Sequence, residues 1–355
     1  MKDVIGRLID ETGRGNAVAL SSLVWSTGSI PMSDSAKMLV TEQGEVVGTI
    51  GGGCLEAEVY TAGQSVLQSN TPCDMRYTMT EKQAGENGLN CGGTVRIYTE
   101  RIDAAGGGEA YAEIEKAKAQ RAARILITEL NGQRRFLTDE QGNILWSIGD
   151  CPPQVHELLT GIKFKNKGGG LIMRLPDVEE EFFVEPFWPQ PRAYVFGGGH
   201  VGGQVAALAK NVGFYVVLID DRPFFANEER HPYADECIAG EIESVFSSLS
   251  LDQHSYVLAL TRGHQYDEQV VECALDTQSG YIGMLGSERK KIVLWKKILQ
   301  RGADPERLGE VFSPIGVNIG ADTPEEIAVS VVAEMVRVRR GVRKKWKTKK
   351  AEGMQ

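Results

Sequence analysis

The sequence predicts an α/β protein: an N-terminal mixed α+β domain followed by a C-terminal Rossmann-like, doubly wound parallel sheet. Three observations carry this. Prolines 186, 189 and 191 crowd the stretch "EPFWPQP" and divide the chain near residue 188. Before them, apolar strand-like runs alternate with glycine-rich turns; after them, short apolar runs and helical patterns alternate regularly. One of the later runs leads straight into a G-x-G-x-x-G turn that opens a helix.

At 355 residues the chain has room for roughly two domains. The expected division is an N-terminal domain over 1–185, a Pro-rich linker over 186–192, the Rossmann-like domain over 193–340 and a basic tail over 341–355. Hydrophobic and charged shares of 42% and 25% are those of an ordinary globular protein. No apolar run approaches the roughly 18 residues of a membrane span. The opening "MKDVIGRLIDETGRG" lacks the apolar core of a signal peptide, so the expected location is cytoplasmic.

Net charge is −9, yet residues 335–351 carry nine Lys/Arg and no acid. The rest of the chain is therefore strongly acidic, which excludes nucleic acid as the main partner. The basic end reads as a solvated helix terminus that complements the helix dipole. Six cysteines show neither C-x-x-C nor zinc-ligand spacing, so free thiols are expected.

In the first domain, "NAVALSSLVWS" and "KMLVTEQGEVVGTI" read as strands around turns. Leu55, Val59, Ala62, Val66 and Leu67 have helical spacing over 55–68. "DMRYTMT" and "GTVRIYTER" read as strands again, then a helix over 109–123, then strands in "RILITEL", "RRFLTD" and "GGGLIMRL".

In the second domain, a strand over Ala193–Phe196 precedes Gly197, Gly199 and Gly202, and Ala206 and Ala209 are placed on the helix face toward the sheet. Glycines allow a tight turn and a close approach to pyrophosphate, and the helix N-terminus favours an anion. A second strand, Tyr215–Ile219, ends in Asp220 and Asp221, where an acid would hold a ribose hydroxyl. A Rossmann scaffold that binds something else fits the same pattern. His200, inside the turn, is a candidate phosphate contact or a surface residue without a task. "SYVLALTRGHQYDEQVVECAL" repeats strand, loop and helix, with Asp267 as the expected N-cap and His264 in a loop at a strand's carboxyl end. In "GYIGMLGSERKK", Gly286 and Ser287 open a basic helix; Ser287 and Arg289 are either anion ligands or a cap and a surface charge. Thr323, Pro324 and Glu326 spell a capping box.

The least ordinary stretch is "VGTIGGGCLEAE". Cys54 stands immediately before the expected helix, where N–H groups and the dipole favour a thiolate. Gly51, Gly52 and Gly53 strip the approach of side chains. Cys91, followed by Gly92 and Gly93, repeats the theme. A small buried cysteine beside a tight turn gives the same pattern. Glu56 and Glu58 read as first-turn acids, with a proton relay through Glu56 as the alternative. Cys73, Cys151, Cys237 and Cys273 read as structural.

These segments together resemble the XdhC/CoxI family, accessory proteins of xanthine dehydrogenase and related molybdenum hydroxylases. The resemblance lies in "GTIGGGCLEAEV", "NCGGTVRIY", "YVFGGGHVG", "VLIDDRP", "YIGMLGSERKK" and "SPIGVNIGADTPEEIAVSVVAEM". It implies a protein that binds molybdenum cofactor as cargo, protects it during sulfuration and helps insert it into an apo-hydroxylase. It implies a maturation factor more than a turnover enzyme, with the hydroxylase and a cysteine desulfurase as partners and a homodimer as a plausible assembly. Under that reading Cys54 and Cys91 are the functional thiols, Cys54 a molybdenum contact, and neighbouring amides the phosphate holders. The C-terminal glycine turn would grip NAD(P), another nucleotide or the cofactor's own phosphate. The rival is an NAD(P)-dependent oxidoreductase, for which no hydride-transfer constellation is recognisable. A third reading is an assembly factor that touches only protein.

Overall fold

A computed structural model describes residues 4–78, 93–152, 154–155, 169–174 and 179–341. The chain divides into two compact units, Met1–Pro189 and Gln190–Gln355.

The first unit holds two five-stranded antiparallel sheets. One contains β1 (Val18–Thr27), β2 (Lys37–Thr41), β3 (Val46–Thr49), β4 (Cys73–Thr78) and β5 (Thr94–Ile102), in the order β3-β2-β1-β5-β4. The other contains β6 (Arg124–Glu129), β7 (Arg135–Thr138), β8 (Ile144–Ile148), β9 (Leu171–Arg174) and β10 (Glu181–Phe187), in the order β8-β7-β6-β10-β9. Val18, Leu20 and Leu39 of the first sheet share a core with Leu126 and Leu137 of the second, completed by α1 (Val4–Gly13) and α3 (Glu109–Ala119). Three ion pairs cross the same interface: Lys37–Glu185 at 2.9 Å, Arg96–Glu181 at 2.7 Å, and Arg135 with Glu100. Burial pushes the Glu100 carboxyl up, opposed by Arg135 and Lys37.

The outer face of the first sheet is covered by α2 (Gly53–Ser69), whose Leu55 and Val59 pack on Leu23, Met38, Val40 and Ile97. The spacing-based helix is thus present but begins at Gly53, two residues earlier than expected. Gly63, not Ala62, faces the sheet; a Cβ there would come within 3.1 Å of Val40. The expected 109–123 helix ends at Ala119 and is preceded by a π turn over Ala104–Gly108, capped by Asp103 through Gly106 N at 2.7 Å. Pro186, expected to break a central strand, lies within β10. It opposes Ile125 of β6, while the pairing of β10 with β9 has already ended at Val184, so the strand has one neighbour there.

The second unit is a five-stranded parallel sheet. Its strands are β11 (Arg192–Phe196), β12 (Tyr215–Asp220), β13 (Glu236–Ala239), β14 (Ser255–Ala259) and β15 (Tyr281–Met284), ordered β13-β12-β11-β14-β15. The order reverses between β11 and β14, which is the switch point where such sheets bind ligands. One face is covered by α4 (His200–Asn211) and α9 (Pro324–Arg339); Ala206 and Ala209 are fully packed against the sheet there, as expected. The other is covered by α5 (Ile242–Ser248), α6 (His264–Leu275) and α7 (Glu288–Gln300), with the short α8 (Pro305–Gly309) beside them. Among the described residues no helix is long and apolar enough to cross a membrane.

Candidate functional site

The glycine run before α2 has a conformational cause. Gly51, Gly52 and Gly53 adopt φ of 115°, 78° and 65° in succession. An L-residue would lose on the order of 1–3 kcal/mol at such a position. A Cβ on Gly51 would meet the flexible tip of the Met32 side chain at 2.5 Å, while around Gly52 nothing lies within 4 Å. The run therefore delivers the chain into α2 along a path that only glycine follows easily.

No side chain caps the α2 N-terminus. Glu56 reaches back instead: its Oε1 accepts from Ile50 N at 3.2 Å and Gly52 N at 3.1 Å, and from the Thr49 hydroxyl. This carboxylate is thus a tie for the bare loop, a role the sequence reading missed. A glutamate three residues after a glycine run is the available signal. Cys54 is an exposed free thiol on the first turn of α2. Cys73, Cys151, Cys237 and Cys273 are half-buried, and burial raises the pKa of each.

Cys91 and Gly92 lie outside the described residues. Gly93 is described, and a Cβ there would sit 2.5 Å from Ser29 O and 2.8 Å from Ile30. Ser29, Ile30 and Met32 belong to the loop after β1, so one loop touches both Gly51 and Gly93. Among the described residues no group of three or more His, Cys, Asp or Glu side chains is arranged to hold a metal ion.

In the second unit, the predicted glycine turn joins β11 to α4. Gly197 has φ of 116°, and a Cβ on it would strike the Leu260 carbonyl. A Cβ on Gly202 would strike the Gly197 carbonyl, and Gly199 faces open space. Gly198, which the G-x-G-x-x-G reading left out, is equally constrained: a Cβ would overlap the Phe225 carbonyl oxygen. His200 is exposed at the first position of α4.

Asp220 ends β12, as expected, but its carboxylate is turned inward. Its Oδ2 accepts from Gly198 N at 2.9 Å and Arg222 Nη2 at 3.1 Å; Oδ1 accepts from Arg222 N at 3.0 Å and Arg222 Nε at 2.9 Å. Burial pushes its pKa up, but the hydrogen bonds from Arg222 and Gly198 win and hold it below the usual range. His231, missed from sequence, buttresses the same turn: Nε2 lies 3.1 Å from Gly198 O, and burial lowers its pKa. Nothing local marks it, because it arrives from 33 residues away.

Beside the turn, at the carboxyl ends of β11, β12 and β14, lies a small cleft of about 20 Å³, room for little more than one water. Gly197, Asp220, Asp221, Arg222, Thr261 and Arg262 are among its lining residues; Gly199, His200, Gly202, Gly286 and Ser287 are not. Arg262 Nη2 and Asp221 Oδ2 pair at 2.9 Å, joining the loops after β12 and β14.

Asp267 is not the N-cap of α6; Gly263 is. Asp267 is buried beneath the cleft, where it accepts from Thr261 N at 2.9 Å, Thr261 Oγ1 at 2.7 Å and Lys290 Nζ at 2.5 Å. Burial pushes its carboxyl up against these bonds. The helix start was legible, but the acid's partner lies 23 residues on. Backbone position places His264 as the first residue of α6. Gly286 makes room for the Lys290 side chain, whose Cδ would lie 2.7 Å from a Cβ there, and Ser287 caps α7 by accepting from Lys290 N at 3.2 Å.

Two family models match this chain. One, described as the XdhC Rossmann domain, covers residues 193–335; the other, the XdhC and CoxI family, covers 12–78. Together they take in more than half of the sequence, and the second includes Cys54 but stops short of Cys91. A Bacillus subtilis (strain 168) protein named as a probable xanthine dehydrogenase subunit is 28% identical over 333 residues, spanning 91% of this chain and 93% of its own. The Escherichia coli (strain K12) molybdenum cofactor insertion chaperone PaoD is 23% identical over 333 residues, spanning 92% of this chain and 84% of its own. A Bacillus halodurans crystal structure described as a xanthine dehydrogenase superposes with a TM-score of 0.75 over 97% of this chain and 98% of that one, at 24% identity, a likeness of fold.

Proposed function

This chain belongs to the XdhC and CoxI family, and from that premise we propose that it is a maturation factor that binds molybdenum cofactor and assists its sulfuration and insertion into a xanthine dehydrogenase-like hydroxylase. The observation that carries the reading is Cys54, a solvent-accessible thiol on a helix whose N-terminus no side chain caps. A soft sulfur donor suits molybdenum, and the first-turn amides of α2 that Glu56 does not engage suit a phosphate. The relative named as an insertion chaperone supports the same reading. Cargo must leave intact, so an exposed ligand that is not enclosed in a metal cage is what delivery requires. Cys91 and the glycines around both thiols belong to the proposal as the remainder of the cradle. The reading carries with it an apo-hydroxylase as client, a cysteine desulfurase as sulfur source and a cytoplasmic setting.

Equilibrium dialysis of the cofactor against wild type and Cys54→Ala tests it. Retention should drop at least about tenfold in the variant if the thiol is a ligand worth about 1.4 kcal/mol or more. Equal retention by both proteins removes Cys54 from the mechanism. Reconstitution of an apo-hydroxylase then separates delivery from scaffolding.

The NAD(P)-dependent alternative is weaker. The glycine turn forms, but Asp220 is engaged by Gly198 and Arg222 and does not fit the part of a ribose acceptor. An NADH fluorescence titration checks this directly, with tight binding as the adverse result.

A further inference from the structure

A cavity of about 720 Å³ opens at the amino-terminal edge of the parallel sheet, at the opposite end of the strands from the glycine turn. Its lining includes Gln253 and Gly280, which precede β14 and β15, and Val338, in the last turn of α9. Leu275, Phe312 and Val338 give it an apolar floor. Asp276, Asp304 and Glu310 give it an acidic rim, and all three are exposed. Arg307 is the one basic side chain among the described lining residues, and it is already committed. Its Nη1 donates to Glu310 Oε2 at 2.8 Å, and its Nη2 donates to Ser279 O at 2.7 Å and to Thr277 O at 3.2 Å. This wall of carbonyls and carboxylates therefore accepts a cation. Asp304 caps α8 through Glu306 N at 2.9 Å, and neither it nor Asp276 has an ion-pair partner among the described residues.

The chain leaves α9 beside this cavity. Gly341 adopts φ of 78° and donates to Val338 O at 2.9 Å. Residues 342–355, outside the described residues, continue from there, and 343–350 carry six Lys/Arg and no acid around Trp346. Trp346 stands five residues past Gly341, within a reach of about 17 Å. We propose that the cavity is the docking site of this basic segment of the same chain, with its cations facing Asp276 and Asp304 and its apolar parts on the floor. Two arguments select this occupant over a separate partner. The first is charge: two acids without a cation meet a segment with a surplus of them, and the aliphatic stems of Lys and Arg cover apolar surface as well. The second is the tether. A short one gives an effective concentration on the order of millimolar, so exposed ion pairs too weak to hold a free peptide still hold an attached one. The inference concerns the second unit alone and stands or falls separately from the cargo role of Cys54.

Limited trypsin digestion of the full chain, read by mass spectrometry, tests this. A synthetic peptide of residues 341–351 supplies the cleavage rate of the undocked segment. At low salt the wild type should be cleaved within 343–350 about threefold or more slowly than the peptide. Salt at about 1 M, where the screening length is about 3 Å, should remove most of that protection. The double variant Asp276→Asn/Asp304→Asn should be cleaved within about twofold of the peptide rate. Asparagine keeps the α8 cap, and circular dichroism checks the fold. Glu228→Gln/Glu229→Gln, which removes two exposed acids outside the lining, should stay as protected as wild type. The proposal is overturned if wild type and peptide are cleaved alike, if Asp276→Asn/Asp304→Asn remains protected, or if the control pair loses protection equally. Protection that grows with protein concentration assigns the cavity to the segment of a second copy and overturns it as well.

Discussion

Two glycines show how one residue type is selected for different reasons. Gly52 needs only its positive φ, with open space beyond it. With ψ of 174° it lies where essentially only glycine goes, so Gly52→Ala should lower stability by about 1–3 kcal/mol, read from urea denaturation. Gly198 needs room, since any Cβ meets the Phe225 carbonyl. Gly198→Ala must displace that strand-to-loop segment and should cost visibly more than Gly52→Ala in the same measurement; equal losses would refute the distinction. Lys290 gives a second residue-scale case. Lys290→Met leaves the buried Asp267 carboxylate without its cation, a loss of about 3–5 kcal/mol at neutral pH. The folded-state pKa of Asp267 is already raised by burial, so this acid favours folding below its unfolded pKa and opposes it as pH rises through the folded value. The Lys290→Met defect should therefore shrink as pH falls; a pH-independent defect would argue against an unpaired charge.

At the scale of elements, the terminal helix of the second unit was fully spelled out locally. Thr323 Oγ1 accepts from Glu326 N at 3.3 Å, Glu326 returns the contact to Thr323 N at 3.3 Å, and Pro324 occupies the first turn. Thr323→Ala should cost about 1 kcal/mol by thermal or urea unfolding, with no change in the cleft. The same helix also anchors the loop before it: Glu334 Oε1 accepts from Gly316 N at 3.0 Å and from the Tyr281 hydroxyl at 2.8 Å. That second duty had no local signature, since Glu334 reads as one more polar residue on a helix. The short elements β8, β13, α5 and α8 were likewise not legible. Four to seven residues carry too little periodicity to separate a strand or single-turn helix from a loop.

For the molecule as a whole, acid should be the sensitive direction. Arg134 and its neighbouring amides lower the pKa of Glu129, Arg96 and Arg174 lower that of Glu181, and Arg222 with Gly198 lowers that of Asp220. A carboxylate whose folded pKa is depressed adds stability above its unfolded value and loses it as pH falls through the folded one. Urea midpoints should accordingly hold near neutrality and decline below about pH 4, despite the opposite contributions of Glu100 and Asp267. Asp220→Asn should flatten part of that decline, and an unchanged profile would show that the Arg222 contact does not stabilise the fold. Each unit also has its own cores, so a fragment beginning at Gln190 is expected to unfold cooperatively by itself in a denaturant titration.

Read alone, the sequence determined the features that short-range physics dictates: the glycine turn at Gly197–Gly202, the inward alanines of α4, the Thr323 cap, and a bare approach to Cys54. Each follows from backbone sterics or helical period within a dozen residues. The tertiary structure decided what those features face. It turned Asp220 from an offered acceptor into an internal brace, made Asp267 the buried partner of Lys290 in place of a cap, brought His231 beneath Gly198, and set Lys37 against Glu185 across two sheets. These are pairings between groups far apart in the chain. Their partners are fixed by strand order and register, which no local pattern of residues contains.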